Sequence, residues 1–134
     1  MELLDYYDIA DECNIDIHYL KLKTITAASV PEHILLNPDK IKTRLQLKDC
    51  LGHELGHCMT GSFYQIDNPL DLRERHEVGA DRWRMKKEIP YIEYKKALKK
   101  GITELWELAE YFDVTEDFMR KTAEFYRSNP RNIT

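Results

Sequence analysis

Five consecutive residues, His53-Glu54-Leu55-Gly56-His57, restrict the fold more than any other stretch of this 134-residue chain. Two histidines one helical turn apart share a face, so a helix here aims both imidazoles at one point. Zinc accepts neutral imidazole at about 2.0–2.1 Å and takes about four ligands. Glu54 lies about 100° round the helix from His53, from the 3.6-residue turn. That sets its carboxylate beside the metal, where it can act on water. A chain carrying this motif has to place it on a helix, bury one side of that helix, and bring a further ligand from elsewhere.

The surroundings meet the first two demands. A helical pattern begins near Ile41, after Asn37-Pro38-Asp39, and runs to about Thr60-Gly61. Leu47, Cys50, Leu51, Leu55 and Cys58 form an apolar stripe with the histidines on its flank. Cys58 follows a ligand directly, but its place in the stripe assigns it to the core. Gly52 and Gly56 share another face, and a glycine in mid-helix costs about 1 kcal/mol against alanine. Their spacing predicts that something approaches the helix closely there.

The third demand falls on a second helical stretch, about Leu70 to Lys87, reached through Gly61, Ser62, Asn68 and Pro69. It offers Glu74, His76, Glu77 and Asp81, of which Glu77 and Asp81 share a face. Small Gly79 and Ala80 between them should let this helix come close to the motif helix. Glu77 is therefore taken as the third ligand, with His76, about 100° away by the 3.6-residue turn, the weaker candidate. Asp81, one turn on, is placed to accept a hydrogen bond from the free N–H of a ligand histidine. Two imidazoles and a carboxylate are a known catalytic zinc set.

The remaining chain reads as an α+β domain. A first helix is expected over about residues 2–13, then strands at Asn14–Tyr19, Leu22–Ala27 and Glu32–Leu36, forming a small antiparallel sheet. Histidines His18 and His33 on those strands read as structural or surface residues. After Ile89-Pro90 come a short basic helix from Tyr91 to Lys100, stopped at Gly101, and two helices capped by Thr103 and Thr115. The aromatic residues from Tyr91 to Tyr126 read as packing. Residues 1–127 are expected as one domain, with the 103–127 helix pair part of it and residues 128–134 a frayed tail.

Composition narrows the class. A hydrophobic share of 43% with 33% charged residues is that of a soluble globular protein. There is no apolar run of about 20 residues, and Met1-Glu2-Leu3-Leu4-Asp5 has no signal-peptide character. Three cysteines without a C-x-x-C suggest reduced thiols and a cytoplasmic location. A net charge of −4 argues against non-specific nucleic-acid binding. The helix pair at Glu104–Arg127 has a helix-turn-helix outline, but its second helix opens Glu116-Asp117, which would repel phosphate. A scaffold or partner-docking role suits it better, and Lys95, Lys96, Lys99 and Lys100 read as a solvated face.

With Glu77-Val78-Gly79-Ala80-Asp81 following it, His53-Glu54-Leu55-Gly56-His57 resembles the ImmA/IrrE group of small bacterial and phage metallopeptidases. Ile34-Leu35-Leu36-Asn37 is similar to that group's edge strand, and Leu108-Ala109-Glu110-Tyr111-Phe112-Asp113-Val114-Thr115 to its ending. The resemblance spans most of the chain. It implies a small zincin-like metalloprotease domain, zinc ligands His53, His57 and Glu77, and Glu54 as general base. It also implies prophage or mobile-element association and a protein partner, either a helix-turn-helix repressor that is cleaved or an antitoxin. After Asp81 the chain departs from the group: Arg82-Trp83-Arg84-Met85-Lys86-Lys87 is more basic and less apolar, although Pro90 is in place.

The expected chemistry is peptide hydrolysis, with Glu54 moving the proton and the strand at Ile34–Leu36 pairing with an extended substrate. Tyr64, His76 and Arg82 are candidates for a second oxyanion donor. The competing expectation is a metal-binding toxin or antirepressor that acts by contact and hydrolyses little. A base at Glu54 favours the enzyme, because a purely structural zinc site has no use for one.

Overall fold

The structure, a computed structural model, describes residues 1–63 and 70–129. Its described elements are α1 (Leu3–Glu12), β1 (Asp16–Tyr19), β2 (Ala27–Val30), β3 (His33–Leu36), α2 (Arg44–Thr60), α3 (Leu70–Glu88), α4 (Tyr91–Lys99), α5 (Leu105–Phe112) and α6 (Glu116–Ser128). The architecture is α+β and mostly helical, as expected. No described helix is long and apolar enough to cross a membrane. The chain divides within α3 into two compact units, Glu2–Arg84 and the residues from Met85 onward, the latter also taking in Met1.

In the first unit the sheet order is β1-β3-β2. β2 and β3 pair antiparallel, joined by the tight turn Pro31-Glu32, in which Glu32 takes φ 71°. β1 pairs parallel to β3. The sheet is therefore mixed rather than antiparallel. The segment after β1 crosses to the far side of β3 before the hairpin begins, so β1 and β2 approach β3 from opposite sides. Two further expectations change with it. The second strand is Ala27–Val30, not Leu22–Ala27. The Ile34–Leu36 strand is central, with both edges paired, so it has no edge to offer a peptide; among the described residues the outer strands are β1 and β2.

Asn37 shows why the chain runs irregularly from Leu20 to Thr26. Its fully buried side chain donates to the carbonyls of Leu22 and Ile25 at 2.7 and 2.9 Å and accepts from Asp39 N–H at 3.0 Å. That segment is tied to the end of β3 instead of pairing as a strand.

α2 begins later than the periodicity suggests. Thr43 caps it, accepting from Gln46 N–H at 3.1 Å, while the Gln46 side chain accepts from Thr43 N–H at 3.2 Å. It ends at Gly61, whose left-handed φ of 65° lets the chain reverse. The buried face of α2 comprises Lys48, Leu51, Gly52, Glu54, Leu55, Gly56 and His57. It is more polar than the expected stripe, and Cys50 and Cys58 are only half-buried.

The two glycines of α2 meet different neighbours. A Cβ on Gly56 would lie 2.4 Å from the carbonyl oxygen of Ala80, so α2 and α3 touch backbone to backbone there. A Cβ on Gly52 would lie 2.7 Å from the side chain of Arg84. Arg84 is buried, donating to Asp49 at 2.7 Å and to the Tyr6 hydroxyl at 3.2 Å. It thus ties α1, α2 and α3 together, which gives one residue of the basic stretch after Asp81 a structural task. Gly79, expected to help the approach, faces open space.

In the second unit, Met85, Ile89, Tyr94, Ala97, Leu108, Ala109, Val114, Phe118, Met119, Ala123 and Tyr126 form one apolar cluster. Thr115 caps α6 by accepting from Phe118 N–H at 3.2 Å. Thr103 does not cap α5; the capping position is Glu104, without a side-chain bond. Gly101 follows α4 with φ 89°, as its stop position requires. Trp106 and Tyr111 are exposed rather than packed. α6 extends to Ser128, and residues 130–134 of the expected tail lie outside the described residues.

Candidate metal centre

Helical spacing in α2 and its contact with α3 bring His53, His57 and Glu77 together. The two Nε2 atoms lie 3.2 Å apart. Glu77 Oε2 is 2.7 Å from His53 Nε2, and Glu77 Oε1 is 3.0 Å from His57 Nε2. The predicted ligand set is therefore one cluster, a ligand atom of each lying within 4.8 Å of the others. A tetrahedral ion bonded to two imidazoles at 2.0–2.1 Å separates their nitrogens by about 3.3 Å. The observed spacing fits that geometry with little movement.

The other ring nitrogens are already occupied. His53 Nδ1–H donates to Asp81 Oδ1 at 2.8 Å, the contact expected of Asp81. His57 Nδ1–H donates to the backbone carbonyl of Ser62 at 2.7 Å. Both imidazoles are thus oriented with Nε2, rather than Nδ1, toward Glu77 and toward each other. The Ser62 contact follows from the end of α2: Gly61 turns the chain, and Ser62 N–H returns to the His57 carbonyl at 3.1 Å. Sequence reasoning missed this residue, although a glycine soon after the second histidine was the available signal.

The charged groups of the cluster act strongly on one another. Burial pulls the His53 pKa down, but hydrogen bonds and charge from Asp81 and Glu77 outweigh it and raise it to about 10. His57 is also shifted upward: burial opposes the shift, and the bonds to Glu77 and to the Ser62 carbonyl overcome it. Glu77, hydrogen-bonded by both imidazoles, is held well below the ordinary carboxylate range.

Glu54 sits differently. It is 6% exposed, and burial raises its pKa, with His53 and His57 opposing. It accepts a hydrogen bond from the side chain of Ser29 on β2. Its Oε2 is buried and has no hydrogen-bond partner among the described residues. A buried carboxylate oxygen without a partner is costly, and Glu54 is one of the residues lining a cleft of about 400 Å³, with Ala27, Ala28, Ser29, His57 and Glu77 among the others. Ser29 was also missed, because it lies in a strand that the weak alternation misplaced.

The remaining candidates separate. Glu74 is exposed and stands outside the cluster. Neither His76 nor Arg82 is among the residues lining the cleft. Tyr64 lies outside the described residues.

No protein-family model, curated protein or solved structure matches the chain. The resemblance to the ImmA/IrrE group rests on the motif residues alone.

Proposed function

We propose that this chain is a zinc-dependent endopeptidase of the ImmA/IrrE kind, with a small zincin-like catalytic domain. Its substrate on this reading is a protein, such as a helix-turn-helix regulator of a bacterium or phage. The observation that carries the proposal is the unpartnered, buried Oε2 of Glu54 beside the His53, His57 and Glu77 cluster. A structural metal site has no need of that carboxylate, and a hydrolase does.

Zinc bound there would supply a Lewis acid that polarises a carbonyl and lowers the pKa of water from 15.7 toward about 7. The protein's part is positional and protonic. His53, His57 and Glu77 hold the ion, with Asp81 and the Ser62 carbonyl keeping the imidazoles aimed. Glu54 takes the proton of the attacking water on its carboxylate and passes it to the leaving amine. Ser29 holds the same carboxylate from the β2 side. β2, an outer strand of the sheet among the described residues, lines the cleft, which supports main-chain pairing with an extended peptide, the part first expected of Ile34–Leu36.

The test is incubation of zinc-loaded protein with the product of the adjacent open reading frame, followed by mass spectrometry. Discrete fragments that disappear with a chelator and return with zinc support the proposal. An intact partner bound in a stable complex would overturn it in favour of a contact-acting antirepressor or toxin.

A further inference from the structure

We infer that the solvent-facing side of the sheet carries a second divalent-metal site, formed by Asp16, His18 and His33. The parallel register sets Asp16 of β1 directly beside His33 of β3. His18, two residues along β1, points to the same face as Asp16. The opposite face of β3 carries Ile34 and Leu36, both fully buried. The three polar side chains therefore gather on the outer face because the apolar ones are taken by the core.

Their geometry goes beyond shared exposure. His18 Nε2 and His33 Nδ1 are 3.1 Å apart, and Asp16 Oδ2 is 3.9 Å from that same Nδ1. The rings are tilted by 34° with centroids 5.3 Å apart, so they meet through nitrogen rather than by stacking. Tetrahedral ligation by two imidazoles calls for a nitrogen separation of about 3.3 Å. The ligand set, two imidazoles and a carboxylate, repeats that of the α2–α3 cluster on different elements, and among the described residues these are the two such groups.

Imidazole-rich sets select zinc, nickel or copper, whereas calcium and magnesium want more oxygen ligands. The occupant inferred is a borderline divalent ion, with zinc the natural one. Bound there, it clips β1 to β3, in the sheet whose other edge, β2, lines the cleft. An ion that binds only the folded sheet stabilises it by mass action. The chain then takes two equivalents of zinc rather than one.

Calorimetric titration of the tag-free, metal-free chain with zinc tests this. Wild type should bind two equivalents. His18→Gln/His33→Gln should bind one, and His53→Ala/His57→Ala should also bind one, lost on adding the sheet substitutions. If the α2 variant does not fold, NMR of wild type with nickel replaces it, and the His18 and His33 ring signals should broaden as the second equivalent is added. A single equivalent in wild type would overturn the inference. So would a second equivalent that survives in His18→Gln/His33→Gln, or one that leaves those ring signals unchanged.

Discussion

Gly56 of α2 lies so close to the backbone of Ala80 in α3 that a Cβ on it would stand 2.4 Å from the Ala80 carbonyl oxygen. Ala80 sits between Glu77 and Asp81 in sequence, and those two carboxylates reach His53 and His57 from this crossing. The missing Cβ of Gly56 is what lets Glu77 on one helix meet His53 and His57 on the other.

Gly56→Ala should therefore force the helices apart. Overpacking of this kind costs about 1–3 kcal/mol, and the zinc affinity should fall with it. Gly79→Ala is the control, since a Cβ there meets nothing within 4 Å. It should be neutral or stabilising by up to about 1 kcal/mol through helix propensity. Urea denaturation and zinc titration of both variants check the pair.

Asp81→Ala removes the acceptor that orients His53 through its Nδ1–H at 2.8 Å. Loss of such a partner typically lowers metal affinity about 10- to 100-fold. Competition with a chromophoric chelator measures it, and wild-type affinity in the variant would remove Asp81 from the site's design.

Protons and zinc should compete openly. His53 is raised from 6.5 to about 10 in the metal-free protein, and His57 is raised as well. Ligation needs both imidazoles neutral, so zinc binding at neutral pH should release protons, and affinity should climb with pH up to about 10. Calorimetry in buffers of different ionisation enthalpy reads the release. The same shift has a sign for stability. A histidine pKa above its ordinary value stabilises the fold fully below 6.5, and the stabilisation is lost as pH rises through about 10. Metal-free protein should therefore lose stability across that window, as denaturation in the presence of a chelator would show.

Asn37→Ala should strip the Leu22 and Ile25 carbonyls of their buried donor. Ile25 is exposed and Leu22 half-buried, so water can replace the donor and each lost bond costs about 0.5–1.5 kcal/mol. Ile25 also lines the cleft, so substrate binding should weaken along with stability. Thermal denaturation and a KM measurement separate the two effects.

The clustering of His53, His57 and Glu77 was legible because metal chemistry dictates spacing. Two histidines one turn apart and a carboxylate pair on a second helix leave few ways to converge, and Glu77 and Asp81 stand where that reasoning put them. The sheet was less legible. Alternation assigns faces to a strand but not neighbours, so nothing in Ile34–Leu36 distinguishes a central strand from an edge. The second strand was misplaced because Leu22–Ala27 has strand-like composition, while Asn37, remote in sequence, takes its carbonyls. Thr43 shows the usual limit at helix ends, where a side-chain cap rather than periodicity decides, and α5 starts after Glu104 with no side-chain cap at all. Ser29 and Ser62 act through one hydroxyl and one carbonyl, contacts that only tertiary structure brings about.

The central claim is that Glu54 serves as the base of a zinc peptidase, and Glu54→Gln tests it most directly. Cleavage of the same substrate should be followed for zinc-loaded wild type and variant side by side, with zinc content measured on both. The variant should keep its zinc and lose activity by about 100-fold or more, the span of general base catalysis. A zinc-loaded Glu54→Gln protein that cleaves as fast as wild type would contradict the account.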